Sequence, residues 1–320
     1  MKKIDLHLHL DGSLRPSTIL EYALQDNLVD VNSISHIKEL VQVKNNNQDL
    51  TEYLSKFSLP IQILNSAERL ERAGFEIIED LYQLGYIYAE IRFAPQLHLH
   101  SGLNLKNIVD YVLLGMQKAS IEFNFPFGLI LCSMRHMPLK NSIDIIQLAN
   151  SYINTQVVGV DLAGDELNFP PEIFSYSFKQ SKLPITIHAG EALGADSVMN
   201  AIKLGASRIG HGIRSIEDNN VIDTLLENNI ALEICPKSNE QTNVYPDFSQ
   251  YPVKQLFDYG IPLTLNSDNL TVSNTSFDNE VLILKNKFGF IDNDIYSMIK
   301  NSILHSFACD NTKSDLISNI

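Results

Sequence analysis

The first residues of the chain carry a pattern with chemical content. Ile4, Leu6, Leu8 and Leu10 alternate with Lys3, Asp5, His7, His9 and Asp11, and in a strand such alternation sends apolar and polar side chains to opposite faces. His7 and His9 stand about 6.6 Å apart along a strand, close enough for both imidazoles to converge on one cation. A pair of core histidines satisfied by neighbours would give the same HxH, but the Asp-Gly-Ser of residues 11–13 that follows makes the motif more specific. Further on, His188 ends a β-branched run and is followed by Ala-Gly-Glu, which sets Glu191 beside another imidazole. His211 lies between Gly210 and Gly212, and glycines let the backbone approach a ligand or metal closely. Asp268 and Asn269 follow the last strand-like run. Three imidazole nitrogens and one carboxylate drawn from such a set suit zinc with a bound water. A water so held has its pKa lowered towards neutrality and becomes a nucleophile.

Those residues must be placed by elements. Strand-like runs occur at residues 3–10, 86–93, 127–133, 156–162, 184–188, 207–211, 230–235 and 261–266, with helical patterns between the later ones at 142–152, 173–180, 195–203, 219–228 and 253–259. This alternation predicts an α/β protein with a parallel sheet, and eight βα units fit a closed (β/α)8 TIM barrel. His7, His9, His188, His211 and Asp268 then fall at the C-terminal ends of strands one, five, six and eight, the face where barrel active sites lie. His36, His98, His100, His136 and His305 lack that placement and read as surface or core histidines. The long interval after strand one, with helical stretches at 17–25, 33–41, 51–58 and 67–84, reads as extra helices inserted over one barrel end. Residues 277–288 and 294–307 read as closing C-terminal helices and the polar tail from Asp310 as frayed. With no linker or repeat, residues 1–320 form one barrel domain.

Composition narrows the function classes. The chain has 24 Lys and Arg against 38 Asp and Glu, a net charge of −14, so it lacks the basic footprint of nucleic-acid binding. There is no signal-peptide apolar segment and no run long enough to cross a membrane. Cys132, Cys235 and Cys309 are too few and scattered for a disulfide framework, which makes a reducing cytoplasm the expected location. GxSxG, HExxH, GxxxxGK and CxxC patterns are absent, which removes the common serine hydrolase, zincin, nucleotide triphosphatase and cytidine-type deaminase readings. Glu90 and Arg92 read as a buried structural pair, and Arg135 and His136 as rim residues without a role.

The motifs HLHLDGSLRP from His7, AEIRFAP from Ala89, VVGVDLAGDE from Val157, HAGE from His188, RIGHG from Arg208, EICPKSNEQT from Glu233 and TLNSDN from Thr264 occur in one order along nearly the whole chain. Together they resemble the adenosine deaminase family of the metal-dependent amidohydrolases. The resemblance implies one zinc per chain, bound by His7, His9, His188 and Asp268. It further implies that Glu191 gives a proton to purine N1 and that His211 orients or deprotonates the zinc water. His9, Asp11, Gly164 and Asn269 would touch substrate, Asp11 at the ribose 5′-hydroxyl and Gly164 through its backbone. The partner implied is a small purine nucleoside.

Two departures refine this expectation. Strand four ends without the lysine that binuclear relatives carboxylate, which points to one metal. Asn269 stands where many members have a second Asp; its amide could donate to purine N7 without needing a proton. Deamination of adenosine and 2′-deoxyadenosine is the leading expectation, and deamination of adenine or another 6-aminopurine the alternative. A metallophosphoesterase and a non-catalytic nucleoside-binding barrel are weaker rivals.

Overall fold

The protein is described from a computed structural model covering residues 1–30, 32–44 and 50–320. Eight strands follow in order: β1 (Lys3–His9), β2 (Tyr86–Phe93), β3 (Phe127–Met134), β4 (Val157–Ala163), β5 (Thr186–Ala189), β6 (Arg208–His211), β7 (Ala231–Ile234) and β8 (Leu263–Leu265). Each hydrogen-bonds in parallel to the next within β1–β4 and within β5–β8. Single parallel bridges, Val160 to Ile185 and Leu8 to Asp268, join the two halves at both seams. Val160 N donates to Pro184 O at 3.0 Å and His9 N to Asp268 O at 2.8 Å, so the strands close into the expected barrel.

The alternation read in β1 is realised as two buried faces. Ile4, Leu6, Leu8 and Leu10 are fully buried in the main apolar core, while Asp5 and His7, equally buried, turn to polar partners inside the barrel. The second face is paid for by pairing, because a buried polar group is tolerated when its hydrogen bonds are made.

Among the described residues, a 3-10 turn (Asp11–Ser13) and five α-helices separate β1 from β2: α1 (Pro16–Gln25), α2 (Ile34–Val41), α3 (Leu50–Ser55), α4 (Ser58–Ile63) and α5 (Ala67–Gln83). Pro16 sits in the first turn of α1, and Ser33 and Ser66 cap α2 and α5 by accepting the amides of His36 and Arg69, the usual ways of starting a helix. The later helices are α6 (Leu105–Phe123), α7 (Leu139–Asn150), α8 (Ser175–Phe178), α9 (Ala195–Lys203), α10 (Asn219–Glu227), α11 (Pro236–Gln241), α12 (Val253–Asp258), α13 (Phe277–Phe288), α14 (Asp292–His305) and α15 (Asp310–Ser318).

Two expectations fail here. The helix anticipated at 173–180 is a 3-10 turn, Pro171–Phe174, followed by the four-residue α8. The tail from Asp310 is helical and buries Leu316 against the core, where Ile320 also packs, so a segment of polar composition is ordered by its few apolar residues. No helix among the described residues is long and apolar enough to cross a membrane.

Candidate active site

β1, β5 and the turn after β8 bring four donors together. His9 Nε2 and His188 Nε2 lie 3.2 Å apart, and Asp268 Oδ1 is 3.5 Å from His9 Nε2 and 3.6 Å from His7 Nε2. His7 Nε2 is buried and has no hydrogen-bond partner. The opposite nitrogens are fixed by carboxylates: His7 Nδ1 lies 2.7 Å from Glu233 Oε2 and His188 Nδ1 3.1 Å from Asp161 Oδ1. A proton on each Nδ1 leaves the Nε2 lone pairs facing one another, the arrangement in which outer carboxylates orient metal-binding imidazoles. An orphaned nitrogen beside converging lone pairs and a carboxylate fits a divalent cation such as zinc.

Electrostatics agree with that donor set. Burial, assisted by the Arg92 charge, holds His7 well below the usual imidazole range, and burial with the His188 charge does the same for His9. His188 is also disfavoured by burial, yet the neighbouring Asp161 outweighs this and draws its affinity for a proton up; the same carboxylate favours a metal cation on that ring.

Backbone geometry shows the site is built under constraint. His211 and Asp268 both have φ of 60°, a left-handed conformation that costs a non-glycine residue on the order of 1–3 kcal/mol. A side chain at Gly210 would approach His7 Cε1 to 3.0 Å and His188 Cα to 3.2 Å, so the glycine before His211 is what lets three histidine-bearing strands meet. Gly164, after β4, has φ of 101° and lies on the cavity wall.

Beside the donor cluster, Glu191 Oε1 accepts Thr242 Oγ1 at 3.0 Å, while Oε2 stands 3.6 Å from His211 Nε2. Burial pushes the Glu191 carboxyl up to about 7 against the opposing charge of His188. His211 is pushed down to about 4, again chiefly by burial, and is therefore neutral. The Asn239 amide donates to His211 Nδ1 at 3.0 Å, and Tyr251 Oη donates to Asn239 Oδ1 at 2.8 Å. With Nδ1 used as an acceptor, neutral His211 carries its proton on Nε2 and presents an N–H towards Glu191 and the cavity.

The cavity above these groups encloses about 250 Å³ and is walled by His9, Asp11, Gly164, His188, Glu191, His211, Asp268 and Asn269, with apolar side chains from the insertion. Leu50, Tyr53 and Leu54 of α3, Phe57, and Ile61 of α4 form that apolar wall, so the inserted helices do cover the barrel mouth. All the expected site residues are thus gathered in one place. Asn269 is employed differently from expectation: its amide donates to Tyr53 Oη and to Asp268 Oδ1, both at 2.7 Å. Both N–H groups are spent inside the protein, so the donor envisaged for purine N7 is already taken. His98 and His136 keep to their readings: His98 is a core histidine, buried with Nε2 3.0 Å from Asp11 Oδ1, and His136 is a rim residue that lines the cavity.

Below the site lies an ion network. Arg92 contacts Asp161 at 3.2 Å and Glu233 at 2.9 Å, and Arg208 contacts Glu233 and Glu90, each at 2.7 Å. Glu90 and Arg92 therefore do not pair with each other: residues i and i+2 share a strand face but are separated along it, and each turns to a different strand. The guanidiniums overcome burial and hold the Glu233 carboxyl down to about 2. Asp161, Glu233, Asn239, Thr242 and Tyr53 escaped assignment from sequence. The first four lie inside motifs already singled out, and Glu233 shares the inward face of β7 by simple alternation; nothing local marks Tyr53.

The adenosine deaminase family model matches residues 2–320. An adenosine deaminase of Clostridium acetobutylicum is 40% identical over all of this chain and 97% of its own length. An adenine deaminase from Arthrobacter aurescens superposes with a TM-score of 0.89 at 24% identity, over 98% of this chain and 96% of its own. A zinc-bound amidohydrolase from Burkholderia ambifaria gives 0.89 at 19%, over 99% and 89%; both likenesses concern the fold. On the match of sequence from end to end, the chain belongs to the adenosine deaminase family.

Proposed function

We propose that this protein hydrolyses adenosine, and 2′-deoxyadenosine, to the corresponding inosine nucleoside and ammonia, with one zinc ion per chain. The observation that carries the reading is the meeting of four metal donors, a raised carboxyl and a neutral imidazole at one cavity, in a chain of this family. His7, His9, His188 and Asp268 would hold the zinc, whose role is to lower the pKa of the attacking water.

The protein's own groups do the rest. Protonated Glu191 donates to purine N1, so that charge developing on the ring is met as C6 is attacked. The C6–O bond forms, the C6–N6 bond breaks, and the two water protons end on ammonia and, through Glu191, on N1. His211 stays neutral and holds the attacking oxygen with its Nε2 proton; of the two roles implied by resemblance, the Asn239 contact supports orientation. Asn239 and Thr242 fix the Glu191 carboxyl. Asn269 holds Asp268 in its strained conformation, and the apolar wall of α3 and α4 excludes water from the base.

The resemblance assigns Asp11, which lines the cavity, to the ribose 5′-hydroxyl. An acidic group there in a chain of net charge −14 disfavours a 5′-phosphate. The test is the ultraviolet change of adenosine to inosine with zinc-loaded protein, run beside 2′-deoxyadenosine, adenine and AMP. Highest kcat/KM on the nucleosides supports the proposal; highest kcat/KM on adenine or AMP, or no turnover, overturns it.

A further inference from the structure

Glu166, the last residue of the VVGVDLAGDE motif, has no part in the chemistry above, yet it is the most heavily coordinated carboxylate near the site. It is 2% exposed. Its Oε1 accepts Gly190 N at 2.7 Å and Ser197 Oγ of α9, and its Oε2 accepts Glu191 N at 3.2 Å, Ala192 N at 2.7 Å and Leu193 N at 3.1 Å. Four consecutive amides facing one point form an anion cradle, and here the anion is supplied by the chain itself. Bonds from backbone N–H to a buried carboxylate are charge-assisted, and losing the acceptor would strand the donors.

The segment is gripped from the other end as well. Arg135, after β3, donates from Nη2 to His188 O at 2.6 Å and from Nη1 to Phe169 O at 2.5 Å. Residues 188–193 are thus held by their first carbonyl and their last four amides, both from neighbouring strand ends. The side chain of Glu191 rises from the middle of this grip, while its carboxyl is steadied separately by Thr242.

We infer that Glu166 is a positioning residue for the reaction: it sets the backbone of residues 190–193 so that the Glu191 carboxyl meets the purine ring. The inference rests on the reading of Glu191 as the proton donor. Misplacing a catalytic group by about 1 Å costs on the order of 100-fold in rate, which sets the scale of the expected loss. The charge of Glu166 also lies near Glu191 and contributes to raising its carboxyl pKa.

The test is a double-mutant cycle on the zinc-loaded enzyme with Glu166→Gln and Glu191→Gln. The glutamine is isosteric but opposes its NH2 to the amides. Expected are a kcat about 100-fold lower, KM for adenosine within about threefold, unchanged zinc content, and less than about threefold further loss when Glu166→Gln is added to Glu191→Gln. An unchanged kcat, a loss tracked by zinc content, or a loss that multiplies in full on the Glu191→Gln background overturns the inference. Should Glu166→Gln fail to fold, Ser197→Ala removes one bond to the same carboxylate, and its roughly 10-fold loss must also vanish on the Glu191→Gln background. Full kcat in Glu191→Gln alone overturns the underlying reading itself, and does so from a variant in which Glu166 is intact.

Discussion

At the scale of single residues, the reactive groups are set by the company of carboxylates and amides that direct them. Glu191→Gln keeps the size of the side chain but cannot supply a proton. It should lower kcat by about 10²–10⁴-fold while zinc content stays at the wild-type value, as metal analysis beside steady-state kinetics will show. Asp161 acts one bond further out: its contact with His188 Nδ1 at 3.1 Å fixes the ring that faces the metal site. Asp161→Asn should weaken zinc binding by about 10–100-fold, read by chelator competition. The residue types and their order were legible from the chain, because ligand histidines on alternating strand positions leave a period that composition does not blur. The partners of those residues were not, since Glu233, Asp161 and Asn239 reach their histidines from other strands or helices, at separations of 226, 27 and 28 residues.

The elements show how an insertion becomes part of a site. One helical stretch was expected at 51–58, within an insertion over one barrel end; the chain forms α3 there and adds α4 (Ser58–Ile63), which was not expected. The pin that holds α3 was invisible: Tyr53 Oη accepts from Asn269 and shares a hydrogen bond with Ser273 Oγ, both at 2.7 Å, and both partners lie in the segment after β8. Tyr53→Phe removes this link without emptying the apolar wall. It should cost about 1–3 kcal/mol in urea unfolding and raise KM for adenosine several-fold. A wild-type KM at reduced stability would show that the link holds the fold and not the cavity. Strand ends were readable to within a residue or two; the turn from β8 and the φ of 60° at Asp268 were not, because a strained turn has no propensity signature.

For the molecule as a whole, buried carboxyls outside the site tie stability to pH. Glu280, in α13, is fully buried and accepts Lys237 N at 2.9 Å. Burial, reinforced by the charge of Asp5, pushes its carboxyl from the ordinary 4.5 up to about 8. The folded state therefore binds this proton more tightly than the unfolded chain. Its stabilising contribution is complete below pH 4.5 and is lost as pH rises towards 8, at no more than about 1.4 kcal/mol per pH unit for one proton. Urea unfolding across that interval should show the fall, and Glu280→Gln should reduce it, leaving the smaller slope to which Asp5 and Glu191, each raised to about 7 by burial, contribute. An equal slope in the variant would refute the assignment. The sequence by itself determined the barrel and the order of its strands, which follow from local period, and singled out the candidate metal donors, acid and imidazole through motifs spread along the chain. Only the tertiary structure decided that Asn269 serves Asp268, that Glu90 and Arg92 part company, that α15 is ordered, and that Glu166 grips the loop of Glu191. Each of those outcomes depends on which buried donor meets which acceptor across distant strands, and burial is a property of the closed barrel, not of any segment within it.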